Sequence, residues 1–334
     1  MATVTPGMEA VAESEVMQTI RGAWPYGVFR GRILFGCTAP LDNVLQLRCV
    51  DNIYAHIAWF RVGHTRHDLQ ELHRIVLGTD LASALAHFSL PPTPSAVVNA
   101  SRSGHQTYSR FEAAEAVMRA LAEGHGLRRG TVERHDLGFR LDIVDDNALL
   151  SVKLTSPSFR FRGERRKFGP GALRPPVAHA LVRLSEPRDD EVFLDPFCGS
   201  GTIAAERAFY TATRIVAIDI DPDILALTRQ NVPECVEVLA GDACHLPFDA
   251  QSVDTIVTNP PWGAQVGNKA DLPRLYLDFL RESQRVLSQT GRLIMLTDQE
   301  PLVHDAVCDL GLKCKTLCTI SLHGRLPSVY VIRH

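Results

Sequence analysis

No stretch of this 334-residue chain stays apolar for the length of a membrane-spanning helix, and no basic segment followed by a hydrophobic run opens it. The sequence therefore predicts neither a span nor a secretory leader, and a cytoplasmic protein. Its eight cysteines include no C-x-x-C pair, which argues against a zinc ribbon and against a disulfide framework. Cys314 and Cys318 alternate with apolar residues and read as strand core. His64, His67 and His73 find no cysteine or carboxylate to complete a ligand set, so no metal is expected. An excess of positive charge is also missing. The 35 Lys and Arg stand against 38 Asp and Glu, a formal charge of −3, which does not suit a protein binding RNA over its whole surface. With 45% hydrophobic and 22% charged residues, what remains is an ordinary globular protein, large enough for about two domains.

The pattern changes along the chain. Residues 1–23 show no clear periodicity and are expected to fray. Between Phe29 and Phe60 short alternating runs (Arg30–Phe35, Leu45–Arg48, Asn52–Ile57) predict strands. Asp68–Leu77 is helical, Ala96–Ala100 a strand, and Phe111, Ala114, Val117, Met118 and Leu121 form the apolar stripe of a helix. Two further strands lie over Gly138–Val144 and Ala148–Leu154, so the N-terminal half is α+β. From about Pro175 strand and helix alternate, the signature of a parallel α/β sheet.

In that second half, Asp195-Pro196-Phe197-Cys198-Gly199-Ser200-Gly201-Thr202 follows the apolar run Val192–Leu194 and precedes a helical pattern. Glycines between strand and helix let a ligand approach the main chain and the unpaired N–H groups of the helix start. The G-x-G-x-x-G spacing of a dinucleotide site is absent. Asp219 closes the next strand, about 20 residues on, where a carboxylate can hold a ribose diol; Asp221 reads as the cap of the following helix. Asp242 and Ala243 follow a third strand. There Asp242 is either an acceptor for an adenine amino group or a solvated loop carboxylate. A fourth strand, Val253–Thr258, delivers Asn259-Pro260-Pro261-Trp262. The Asn oxygen and the Pro260 carbonyl can each accept one hydrogen of an exocyclic amino group, turning its lone pair outward, while two prolines stiffen the loop and Trp262 offers a ring to a flipped base. Positive charge is local: Arg160, Arg162, Arg165, Arg166 and Lys167 interleave with phenylalanines, and Arg102, His105 and Arg110 form a second basic loop. Either set suits phosphate contacts; the first reads alternatively as a solvated linker.

The residues 195–202 resemble motif I of class I methyltransferases, and together with Asn259–Trp262 the chain resembles THUMP-domain methyltransferases that make N2-methylguanosine in tRNA. Val98–His105 with its following helix resembles a THUMP core, the strands near Leu47–Asn52 a ferredoxin-like module, and Arg162–Arg166 with Ala172–Leu181 the lead-in that covers the cofactor. The resemblance implies a Rossmann-like domain with a mostly parallel seven-stranded sheet over 175–334, preceded by a ferredoxin-like module (24–90), a THUMP domain (91–156) and a basic, aromatic linker (157–174). It implies S-adenosylmethionine as cofactor, held by Asp195–Thr202, Asp219, Asp242 and Ala243. It also implies catalysis by Asn259–Trp262 and a tRNA partner measured from its 3′ end, with one acceptor-stem guanosine reaching the site. In a eukaryotic member a small activating subunit would join. Trp262 stands where family members often have Tyr or Phe. Alternatives left open are guanine-N2 methylation of ribosomal or small nuclear RNA, adenine-N6 methylation, and a non-catalytic RNA-binding protein.

Overall fold

A computed structural model describes residues 1–163, 166–169, 171–263 and 270–334. The chain divides into two compact units, residues 1–2, 40–45 and 52–156 in one, and 3–39, 46–51 and 157–334 in the other. None of the described helices is long and apolar enough to cross a membrane.

The second unit holds a seven-stranded sheet. Its strands are β1 (Val192–Asp195), β2 (Arg214–Asp219), β3 (Val236–Ala240), β4 (Val253–Thr258), β5 (Leu287–Thr297), β6 (Lys313–Thr319) and β7 (Ser328–Arg333), in the spatial order 3-2-1-4-5-7-6. The first five run parallel, and β7 is antiparallel to both β5 and β6. Strands such as Phe193-Leu194 and Ile256-Val257 are buried throughout, because helices cover both faces of a parallel sheet. Those helices are α1 (Pro175–Leu184), α2 (Thr202–Arg207), α3 (Pro222–Asn231), α4 (Leu272–Val286) and α5 (Glu300–Leu310). Strand order reverses between β1 and β4, and ligands of such sheets bind in the crevice beyond the carboxyl ends at that point. β6 is exposed along most of its length, so Cys314 lies on the surface rather than in the core expected for it.

The first unit has its own sheet, in the order Asn52–Arg61, Asn147–Lys153, Leu137–Val144, Ser95–Ser103, Arg128–Arg129. Helix Arg110–His125 starts at a capping box, with the Ser109 hydroxyl accepting from the Glu112 amide and the Glu112 carboxylate accepting from the Ser109 amide. It buries Ala113, Ala116, Val117, Ala120 and Leu121. Phe111, expected on that stripe, is 70% exposed beneath the Arg110 guanidinium.

Three expectations for the N-terminal region need correction. Residues 1–23 are ordered: Glu9–Thr19 is helical, with Met8, Ala12 and Val16 buried. Leu45–Arg48 is not a strand. The backbone N–H groups of Arg48 and Cys49 donate to the carboxylate of Glu15 instead of to a neighbouring strand. Finally, residues 24–39 and 46–51 fall in the same compact unit as 157–334, and 52–90 in the other, so the boundary expected for 24–90 is not the one at which the chain divides.

A buried carboxylate explains why these pieces belong together. Glu206 on α2 is fully enclosed and meets Arg48 at 2.8 Å, Arg166 at 3.0 Å, Arg162 at 3.4 Å and His179 Nδ1 at 3.1 Å. Burial alone would raise its pKa, but the hydrogen bond with His179 and the charges of Arg162 and Arg48 hold it at about 2. Glu15, Cys49 and His179 also gather one ligand atom each within 4.8 Å. Both Glu15 oxygens already accept backbone N–H groups, and His179 Nε2 faces the Tyr210 hydroxyl at 2.9 Å, so hydrogen bonding accounts for that cluster. Because the Glu206 pKa is depressed, its contribution to stability is present above the ordinary carboxylate range and is lost only as pH falls toward 2. Glu206→Ala leaves three guanidinium groups without their buried counter-charge and is expected to cost about 3–5 kcal/mol. Urea unfolding at pH 7 should show a lower midpoint at unchanged slope.

Candidate active site

The glycine turn leaves the carboxyl end of β1 and is shaped by its two glycines. Gly199 has φ +49°, and a Cβ there would project into open space. Gly201 has φ +81°, and its Cβ would lie 2.7 Å from Val232 and 2.8 Å from Thr228 of α3. Glycine is thus needed at 201 for both backbone angle and packing. Asp219, at the end of β2, accepts from the Gly199 amide at 2.9 Å and from the Asp221 amide at 3.1 Å; its carboxylate keeps further lone pairs for a ligand. Asp221 caps α3 through the Asp223 amide, with Pro222 at the first helical position.

Asp195 and the fourth motif are in direct contact. β4 lies beside β1, and Thr258 Oγ1 donates to Asp195 Oδ1 at 3.0 Å. Asp195 is fully buried. Desolvation pushes its pKa to about 8, against the pull of the Thr258 hydroxyl and the Phe197 amide. Its other oxygen has no partner, and neither do the buried Ser200 Oγ and Asn259 Oδ1. Buried polar atoms are normally paired. Three orphans on motifs at one edge of the sheet therefore call for a polar ligand.

The rim Asn259–Trp262 is held from behind. The Tyr276 hydroxyl of α4 donates to the Pro261 carbonyl at 3.1 Å, Trp262 Nε1 donates to the Leu296 carbonyl at 3.3 Å, and Gln299 Nε2 donates to the Trp262 carbonyl at 3.3 Å. The carbonyl that Tyr276 takes is Pro261's, not Pro260's. Tyr276, Gln299 and Thr258 escaped the sequence reading: a tyrosine among helix apolar positions and a threonine in a strand look like packing residues. Asp242, after β3, is partly exposed and accepts from Cys244 N at 2.9 Å and His245 at 3.3 Å. The Cys244 amide is the main cause of its lowered pKa. Ala243 beside it is buried. Phe197 packs edge-on against Phe279 of α4, and the Cys198 amide donates to the Ile218 carbonyl of β2.

The basic candidates scatter. Arg162 and Arg166, expected to meet phosphate, turn inward onto Glu206, because a buried carboxylate outbids solvent for their charge. Arg165 lies outside the described residues. Lys167 is exposed, and its backbone is clamped by Asn231: N–H to Oδ1 at 3.1 Å and carbonyl to Nδ2 at 2.8 Å. The same Asn231 amide donates to the Ser200 carbonyl at 2.9 Å, so one side chain joins the segment around Lys167 to the glycine turn. Arg160 stacks on Phe161. Arg102, near the end of strand Ser95–Ser103, and His105, in the loop after it, are exposed on the other unit; the loop is shaped by the buried Gln106, which donates to the Ser103 and Asp145 carbonyls.

A family model described as RMKL-like, methyltransferase domain matches residues 162–328. A tRNA (guanine(6)-N2)-methyltransferase of Thermus thermophilus is 33% identical across 99% of this chain and 98% of its own length. The crystal structure of TrmN from Thermus thermophilus has a TM-score of 0.83 at 30% identity, covering 99% of this chain and 98% of that one. The human tRNA (guanine(6)-N(2))-methyltransferase THUMP3 is 30% identical over 59% of this chain and 43% of its own. The methyl donor of such enzymes is S-adenosylmethionine. The open space at Gly199, the orphaned Asp195 and Ser200 oxygens and the carboxylate of Asp219 fit a ligand with a cationic end and a ribose diol.

Two outcomes follow for binding. In the ligand-free protein the raised Asp195 pKa makes stability fall as pH rises from about 4 toward about 8. Asp195→Asn should therefore raise the melting temperature more at pH 8 than at pH 5, while weakening S-adenosylmethionine binding at least about tenfold; calorimetry reads both. Asn231→Ala is expected to raise the dissociation constant for S-adenosylhomocysteine several-fold with the fold intact, measured by titration calorimetry beside circular dichroism.

Proposed function

The chain belongs to the RMKL-like methyltransferase domain family, and we propose that it transfers a methyl group from S-adenosylmethionine to the exocyclic N2 of a guanosine in the acceptor stem of tRNA. One observation carries the reading of the site. Asn259 Oδ1 is a buried acceptor without a donor, at the end of the strand whose Thr258 binds Asp195. An amino group supplies the donor that it lacks.

In this reading Asn259 Oδ1 and the Pro260 carbonyl each accept one N–H of the guanine amino group, which draws its lone pair out of conjugation and aims it at the methyl carbon. Trp262, its ring fixed by the Leu296 carbonyl, stacks on the base. The nitrogen's proton becomes acidic as the N–C bond forms, so rate enhancement comes mainly from positioning. Asp195 faces the cationic end of the donor, Asp219 its ribose and Asp242 its adenine, with Pro196–Thr202 and Ala243 forming the walls.

Residues 91–156 serve as a THUMP domain that takes tRNA by phosphates and shape, with Arg102 and His105 among the contacts. RNA helices hide their base edges in a narrow major groove, so distance from the tRNA 3′ end would select the nucleotide. Arg160 and Lys167 add contacts from the second unit. The substrate printed in the names of the Thermus thermophilus and human relatives supports tRNA over ribosomal RNA or DNA. That substrate in turn supports action in the cytoplasm.

Labelled S-adenosylmethionine and unmodified tRNA transcripts, followed by nucleoside analysis, test the whole reading. N2-methylguanosine at one acceptor-stem position is expected. Asn259→Ala should lower kcat at least about a hundredfold and leave donor affinity within about twofold. Lost donor binding would show that Asn259 holds the cofactor instead.

A further inference from the structure

We propose that Arg325, on the tight turn between β6 and β7, holds a backbone phosphate of the RNA strand whose base reaches Trp262. The proposal rests on the RNA reading above. β7 runs back against β5 with Ser328 opposite Thr297, so the segment before Ser328 stands at the carboxyl edge of the sheet, where β5 leads into Asp298 and Gln299. Leu322 and Arg325 exchange both backbone hydrogen bonds, at 3.0 and 2.9 Å. The two residues between them, His323 at φ +51° and Gly324 at φ +77°, are both left-handed, as a two-residue type I′ hairpin requires. Its base is anchored. Ile320 and Leu322 are buried, the Ile320 amide donates to the Pro327 carbonyl, and the Ser321 amide donates to the Pro6 carbonyl. Its tip, from His323 to Leu326, is exposed. A turn fixed in this way presents Arg325 with little backbone freedom left to lose on binding.

A chain of hydrogen bonds runs from this turn to the rim. Arg325 Nη1 donates to Asp298 Oδ2 at 2.5 Å, and Gln299 Nε2 donates to Asp298 Oδ1 at 2.7 Å. The same Gln299 nitrogen donates to the Trp262 carbonyl at 3.3 Å. A glutamine amide nitrogen carries two hydrogens, so each acceptor takes one and the amide has a single orientation. Asp298 is thus the hub between the exposed guanidinium and the residue that stacks the base.

Stability gains little from this ion pair. The Arg325 side chain is 42% exposed, and an exposed pair contributes about 0–1 kcal/mol. What the pair supplies is direction. Among the described residues Asp298 is the one carboxylate paired with Arg325, and it takes a single N–H of the guanidinium. A guanidinium has more N–H donors, set in a planar fork, and these suit a second oxyanion. A nucleotide that turns its base out of the helix brings its phosphates to the mouth of the pocket. Phosphate is the oxyanion whose geometry that fork matches, and a phosphate contact fixes the register of the strand without reading its sequence.

The test titrates the full chain with tRNAs that carry one neutral methylphosphonate at a time across the acceptor stem. For the intact protein one position should weaken RNA binding about tenfold. Arg325→Ala should weaken binding of the unmodified tRNA by a similar factor and lose its sensitivity at that position alone. It should also lower the slope of log Kd against log salt by about 0.7–0.9, with the melting temperature unchanged. In turnover it should raise KM for the RNA and spare kcat. Arg325→Lys keeps the charge without the fork and should recover most of the salt slope but only part of the affinity. Asp298→Asn leaves the cation in place and should not weaken RNA binding. If Arg325→Ala keeps its sensitivity at every phosphate, or Asp298→Asn weakens binding as much as Arg325→Ala does, Arg325 serves only its ion pair and the proposal falls. Failure of the earlier reading looks different: the intact protein methylates no tRNA, while the binding measurements still decide the phosphate contact.

Discussion

The hydrogen bond from Thr258 to Asp195 is the constraint around which the site is arranged. It joins the ends of β1 and β4, one leading to the glycine turn and the other to the Asn-Pro-Pro-Trp rim. A methyl group has little to offer a protein by way of grip. Transfer therefore depends on holding its donor and acceptor in line, and a shared backbone framework with one side-chain bond across it limits how far the two motifs can drift. The second oxygen of Asp195 has no partner, so the group that ties the strands together also has an oxygen left over for a ligand.

The outer layers extend the same arrangement. Tyr276, Leu296 and Gln299 hold the rim from α4, β5 and the start of α5. On the other side, Asn231 joins the glycine turn to Lys167, and Glu206 gathers Arg48, Arg162 and Arg166 behind α2. The rim is held by a hydroxyl, a carbonyl and an amide, while the buried ion pairs at Glu206 fix segments distant in sequence.

The elements around the glycine turn were legible in the sequence because each β-strand there is a short apolar run that ends in a residue unsuited to a core: Asp195, Asp219, Asn259. Asp221 could be read as a cap from its proline alone. What escaped depends on partners that are distant in the chain. The helix Glu9–Thr19 hides a glutamate, which blurs its periodicity, and that glutamate takes the Arg48 and Cys49 amides, at the end of a run whose alternation looks like a strand. Arg162 and Arg166 belong to a basic run that looks like a phosphate surface until Glu206, some forty residues on, is brought beneath it. Trp24 and Tyr26 precede the first strand read from the pattern, since alternation fails where both sides of a strand are exposed.

The orphaned oxygens of Asp195 and Ser200 have a consequence for the lifetime of the protein as well as for its chemistry. Each buried atom left unpaired costs about 1–3 kcal/mol, which a donor that paired them would cancel, so the folded population would rise with donor concentration. Where proteolysis follows the open population, the amount of enzyme tracks the supply of its own methyl donor. A cell short of that donor would then lose the enzyme sooner.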